Sequence, residues 1–170
     1  MPKVLVVDLN KCGGCHICEL ICSWSHNPGV VRPILSRIRV LKKEELAISV
    51  PMFCLHCEKP VCKDACPVYA IRRSKDTGAV VINPDICIGC KACLMACPFG
   101  AITFDPEQRL MIKCDLCGGE PKCVRWCPNE AITYEEAQVG VSLRRGRVME
   151  EHLAKALLQA RKELGTTSRG

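Results

Sequence analysis

Large side chains are scarce in this chain: phenylalanine, tryptophan and tyrosine make up only 4% of its 170 residues. That scarcity limits the apolar area a core could bury, and domains short of core are usually stapled by disulfides or metal. Long apolar runs are missing as well. No stretch approaches the roughly 20 apolar residues that cross a bilayer, so no membrane insertion is expected. The opening "MPKVLVVDLNKC" has an apolar run of four residues, no cleavage site and no twin-arginine pair, which excludes a secretory leader. No phosphate loop, dinucleotide fingerprint or nucleophile–base set occurs, because the glycines of "KCGGCHIC" do not follow Gly-x-Gly-x-x-Gly order. The expectation is therefore a chain with no catalytic residues of its own.

Cysteine, by contrast, is abundant: 16 of the 170 residues. A chain kept in the reducing cytoplasm should not rely on eight disulfides, so the cysteines are read as metal ligands. The formal charge of +6 counts them as neutral, yet metal ligation requires thiolates. Sixteen thiolates around four metal cores of about +2 each would move the balance to about −2. With no basic stripe either, a nucleic-acid binder or iron–sulfur regulator is disfavoured. Lys11, Lys63, Lys91, Lys113, Lys122 and Arg125 stand in or beside the cysteine loops. They read as solvated loop charge, or as groups that raise cluster potentials or steer an acidic partner.

The cysteines form four quartets. Cys12, Cys15, Cys18 and Cys22 are spaced x2, x2, x3, and so are Cys87, Cys90, Cys93 and Cys97. Cys54, Cys57, Cys62 and Cys66 are spaced x2, x4, x3, while Cys114, Cys117, Cys123 and Cys127 are spaced x2, x5, x3. The fourth cysteine precedes Pro67, Pro98 or Pro128 in three quartets, and Ser23 in the first. Three cysteines on a tight loop can wrap three corners of a cubane. The fourth, starting a short helix that proline breaks, faces away and serves a neighbouring cluster. A zinc site would instead gather four thiolates tetrahedrally, usually from two separated pairs. Four quartets therefore predict four [4Fe–4S] clusters.

An internal repeat accompanies the quartets. "CPVYAI", "CPFGAI" and "CPNEAI" follow the second, third and fourth, and "VVDLNKC" aligns with "VINPDIC". Between the second and third lies "CPVYAIRRSKDTGAVVINPDICIGC", a hairpin with "DTG" as its turn. This stretch resembles a bacterial two-cluster ferredoxin unit, in which each quartet gives three ligands to one cluster and its fourth to the other. The resemblance implies Cys54, Cys57, Cys62 and Cys97 around one cluster, called C below. It implies Cys87, Cys90, Cys93 and Cys66 around another, D. Quartets one and four then enclose this unit as a nest. Cluster A would take Cys12, Cys15, Cys18 and Cys127, and cluster B Cys114, Cys117, Cys123 and Cys22.

"CLHCEKPVCKDACP" and "KCDLCGGEPKCVRWCP" further resemble motifs of the four-cluster iron–sulfur subunits. Those subunits serve molybdenum and tungsten oxidoreductases, formate-linked hydrogenases and carbon monoxide dehydrogenase. Among them the chain looks most like the small subunit of tungsten-dependent aldehyde oxidoreductases. The implied fold is α+β: two nested bacterial-ferredoxin-like units, an inserted β-hairpin and a C-terminal α-helix. The outer unit would comprise residues 1–26 with 103–135, the hairpin 27–53, the inner unit 54–102 and the extension 136–170.

The implied function is electron transfer between a catalytic tungsten or molybdenum pterin subunit and an external ferredoxin or flavoprotein. A subunit of hydrogenase, CO dehydrogenase, formate dehydrogenase or benzoyl-CoA reductase type is the alternative, as is a freely diffusing polyferredoxin. Within the insert, Ile34–Leu41 and Leu46–Val50 read as strands around a charged turn at Lys42–Glu45. The insert would either cover a cluster or dock a partner. Trp24 and Trp126, each beside a ligand, should exclude water from the outer pair; His16 and His56 read as loop hydrogen-bonding groups. An amphipathic helix at about 147–164 would pack on the body or dock on another subunit, a second copy included.

Overall fold

Eight short strands pair only two by two. In the computed structural model, which describes residues 3–46 and 48–137, every sheet is a two-stranded antiparallel ribbon. Strand β1 (Lys3–Val7) pairs with β8 (Ile132–Glu136), joining the two ends of the described chain, with Leu5 opposite Tyr134. Strand β1 is apolar from Val4 to Val7 and β8 opens with Ile-Thr-Tyr alternation, and Leu5 and Ile132 turn inward to burial near completion. Strands β2 (Ile38–Lys43) and β3 (Ile48–Phe53) form the inserted hairpin. Strands β4 (Ile71–Arg73) and β5 (Val80–Ile82) close around the "DTG" turn. There Gly78 takes φ +71°, and Ser74 N–H donates to the Ala79 carbonyl at 2.7 Å. Strands β6 (Ile102–Asp105) and β7 (Leu110–Lys113) complete the set.

Four helices sit at the quartets. They are α1 (Ile17–His26), α2 (Val61–Asp64), α3 (Ala92–Ala96) and α4 (Lys122–Arg125). The sequence reading has the fourth cysteine start a helix; the structure corrects this. In quartets two, three and four the third cysteine lies inside the helix and the fourth follows its end. The proline after it has no N–H and clashes with the preceding turn, so the helix cannot continue. Where Ser23 replaces that proline, α1 runs on past Cys22 to His26. Helix α1 packs on α4, and α2 on α3.

The insert also departs from its expected bounds. Pro33–Leu35 is a 3-10 turn with proline in its first position, so β2 begins at Ile38 rather than Ile34. Strand β3 begins at Ile48 and continues through Pro51 to Phe53. A two-stranded ribbon leaves one edge of each strand unpaired, which is where a residue without an N–H is tolerated.

Two cores result. Leu5, Ile38, Val40, Phe53, Leu116 and Ile132 gather around buried Cys18, Cys22 and Cys123. Ile71, Val80, Ile102 and Met111 gather around Cys62, Cys66 and Cys93. Among the described residues no helix is long and apolar enough to cross a membrane. The expected helix at about 147–164 lies outside the described residues.

Candidate metal centres

Each ligand loop opens with the same backbone device. The third residue of the first Cys-x-x-Cys in every quartet stands in the left-handed region: Gly14 at φ +66°, His56 at +50°, Gly89 at +66° and Leu116 at +59°. Glycine suits that conformation, while His and Leu hold it at a cost of about 1–2 kcal/mol. At Gly89 an added Cβ would also run into the backbone carbonyl oxygen of Arg109. Gly89→Ala should therefore lose iron selectively from the third quartet and melt well below the parent chain. Gly100→Ala, at φ +58° with open space around it, should show only the backbone cost. Equal iron content and melting temperature in the two variants would refute the steric account.

The cysteines converge across the chain. Burial and then the charges of Cys127 and Cys15 raise the Cys12 thiol, against a lowering by the Gly14 amide. Burial, Glu19, Cys12 and Cys15 push Cys18 up to about 12. Cys123 is raised by burial and then by Cys114, Cys22, Cys117 and Cys18. Burial pushes Cys114 up to about 12, with Cys22 and Cys54 among its charged neighbours. Cys62 is raised by burial and, despite a lowering by Lys113, by Cys54, Cys97 and Cys57. Cys93 is pushed up to about 11 by burial and then by Cys87, Cys62, Cys66 and Cys90. Thiols that repel one another this way ionise together only around a cation, which is the donor set of an iron–sulfur core.

Two cavities each gather one full set of ligands. One cavity is lined by Cys22, Cys114, Cys117 and Cys123, another by Cys12, Cys15, Cys18 and Cys127. Backbone amides already point at ligand sulfurs: Arg37 N–H to Cys22 Sγ and His56 N–H to Cys54 Sγ, each at 3.3 Å. Ala70 N–H reaches Cys66 Sγ at 3.3 Å, and Ala131 N–H reaches Cys127 Sγ at 3.2 Å. Only Cys15 and Cys90 are exposed.

One lysine and both tryptophans differ from expectation. Lys113 is buried rather than solvated, donating Nζ to the carbonyls of Val80 and Cys114. Its ladder position in β7 turns it inward, between the two cores. Trp24 and Trp126 are 53% and 57% exposed, so they shield little from water; α1 and the end of α4 present them outward. His16 and His56 are hydrogen-bonding loop residues. His16 pairs with Glu19 at 3.2 Å, and the His56 Nδ1 accepts from Val80 N–H at 3.0 Å. Burial, and then the charge of Lys113, pushes His56 down to about 3, leaving it neutral.

Sequence reasoning missed a charged set beside quartet four. Asp115 takes the Arg37 guanidinium on Oδ2 at 2.5 Å and His26 Nε2 on Oδ1 at 3.1 Å, and accepts Cys117 N–H at 2.9 Å. Burial opposes its charge, but His26 and Arg37 hold the Asp115 carboxyl well below the usual carboxylate range. The one available signal was the acidic residue in "CDLC", where the second quartet has "CLHC" and the third "CIGC".

Comparison with known proteins fits these centres. The family described as "4Fe-4S dicluster domain" matches residues 46–137, more than half of the chain, and takes in quartets two, three and four. A subunit of the sulfite dehydrogenase of Allochromatium vinosum is 35% identical over 65% of this chain and 53% of its own length. Formate hydrogenlyase subunit 2 of Escherichia coli is 41% identical over 66% of this chain and 53% of its own. The polyferredoxin-like subunit of the aliphatic sulfonate oxidoreductase of Pyrococcus furiosus is 43% identical over 55% and 53%. The chain thus spans about half the length of these curated relatives.

Proposed function

Since the chain belongs to the 4Fe-4S dicluster domain family, we propose that it is an electron-transfer subunit of an oxidoreductase complex. Its 16 cysteines in four quartets, within that family, carry four [4Fe–4S] clusters. Each cluster, when bound, supplies a site that takes up and gives back one electron. What the protein contributes is ligation, order and access.

The ligation reading keeps the four sets already introduced as A, B, C and D. It is supported by the two cavities, which contain the A and B sets, and by the mutual repulsions within the C and D sets. Charge interactions between sets run in one order. Cys18 of A neighbours Cys123 of B, Cys54 of C neighbours Cys114 of B, and Cys62 of C neighbours Cys93 of D.

The observation that carries the function is where exposure falls on that order. The two exposed ligands, Cys15 and Cys90, belong to its two ends, A and D. A protein whose exposed ligands lie only at its end centres, the middle ones being buried or half-buried, has two places to meet redox partners. One partner is a catalytic subunit and the other an external carrier such as a ferredoxin or flavoprotein. The three relatives named above are all subunits, which favours this over a freely diffusing polyferredoxin.

The finer assignment, a tungsten- or molybdenum-pterin catalytic partner of the aldehyde oxidoreductase type, rests on the sequence resemblance. A reducing cytoplasmic setting belongs to the same reading, supported by 16 unbridged cysteines. Anaerobic isolation of the tagged native protein followed by metal analysis tests the assignment. About 16 iron per chain, together with tungsten or molybdenum in a larger polypeptide, is expected. A monodisperse single chain free of both metals would instead establish the diffusing carrier.

A further inference from the structure

Among the described residues two buried side-chain nitrogens have no hydrogen-bond partner, Arg37 Nε and His56 Nε2. The first stands at a site that explains it. Arg37 enters from the inserted segment, just before β2, and lines the cavity that also holds Cys22, Cys114, Cys117 and Cys123. Its backbone N–H donates to Cys22 Sγ at 3.3 Å, and its guanidinium is anchored by Asp115 through the terminal nitrogen. That anchoring leaves Nε–H buried and free. An unpaired guanidinium donor out of water is costly, so an acceptor belongs there.

The cavity's other polar groups are already engaged. The His26 ring donates Nδ1–H to the Cys22 carbonyl at 2.8 Å and Nε2–H to Asp115 at 3.1 Å. Both of its partners are acceptors, so the ring is an imidazolium. Asp115 is occupied by Arg37, His26 and the Cys117 amide. Among the side chains lining the cavity, the sulfurs are what remains to accept from Nε, either the thiolates of this quartet or the sulfides they would enclose.

We propose that Arg37 donates its Nε–H to a sulfur of cluster B and, with Asp115 as its anchor, raises that cluster's reduction potential. This rests on the ligand set proposed for B. A donor aimed at sulfur stabilises the more negative, reduced form, and a water-excluding wall strengthens it. Two cations, Arg37 and His26, against one carboxylate act in the same direction. The inserted segment thereby gains a role beyond covering or docking: it delivers a potential-setting residue to a centre in the middle of the series.

The test is redox titration of the iron-loaded chain followed by electron paramagnetic resonance. Cys22→Ser marks cluster B by its altered signal. Arg37→Met should lower the reduction equilibrium constant of that one cluster about tenfold, about 59 mV for a one-electron couple, and leave the other three unmoved. Arg37→Lys, which keeps the charge without the Nε donor, should recover only part of the shift. In the unaltered chain labelled with arginine carrying 15N in the guanidinium alone, which leaves the Arg37 backbone amide unlabelled, reduced cluster B should show a 15N coupling. Unchanged potentials in iron-replete Arg37→Met would overturn the role of Arg37. A tenfold shift in a cluster that Cys22→Ser leaves untouched would overturn the ligand set instead. If Arg37→Met fails to hold iron, the labelled chain decides, and absence of an arginine coupling refutes the proposal.

Discussion

Chelating the iron under anaerobic conditions is expected to abolish the cooperative melting transition of this protein, not merely its colour. Every sheet in the described chain is a two-stranded ribbon, and isolated ribbons of that kind are marginal in water. Helices α2, α3 and α4 have only four or five residues each, too short to persist unaided. Both cores are built partly of ligands: Cys18, Cys22 and Cys123 in one, Cys62, Cys66 and Cys93 in the other. Without metal these positions become small thiols around cavities, and the surfaces they joined lose their common anchor. For structural zinc in finger peptides, binding contributes about 10–16 kcal/mol, comparable to the whole stability of a typical domain, about 5–15 kcal/mol. Clusters with four thiolate ligands act in the same way here. Calorimetry of the apo chain should therefore show no transition. A native-like endotherm after complete iron removal would show that the polypeptide folds by itself.

Replacing Cys22 should be felt far along the chain. Cys22 lies on α1, one turn after Cys18, yet its thiol neighbours Cys114 and Cys123 and lines the same cavity. Cys22→Ser is expected to alter or expel the cluster held by Cys114, Cys117 and Cys123, lowering iron from about 16 to about 12 per chain if the cluster is lost. The cluster on Cys12, Cys15 and Cys18 should keep its signal. Cys127→Ser should do the reverse, since Cys127 neighbours Cys12. Loss at the Cys12 loop in Cys22→Ser would mean that each loop feeds its own fourth ligand, and the cross-ligation scheme would fall.

The centres were legible in the sequence because their determinants are local. A Cys-x-x-Cys loop, a left-handed third residue and a proline after the fourth cysteine each act within a few positions of one another. The hairpin between quartets two and three was legible for the same reason, since "DTG" sets a turn whatever surrounds it. The Cys22-to-Cys114 neighbourhood was reached only through resemblance and the logic of the nest.

The charges around the centres depend on tertiary structure alone. Arg37 and Asp115 are 78 positions apart, and His26 and Asp115 are 89; no spacing rule links them. Lys113 looks like any loop lysine until β7 turns it between two cores, and Trp24 and Trp126 look like plugs until their helices face them outward. The insert's strand began four residues late because Pro33 took the first position of a 3-10 turn. Ligand identity follows from sulfur chemistry and short-range backbone geometry, which a sequence carries. The field each cluster experiences follows from which distant side chains folding brings to its wall.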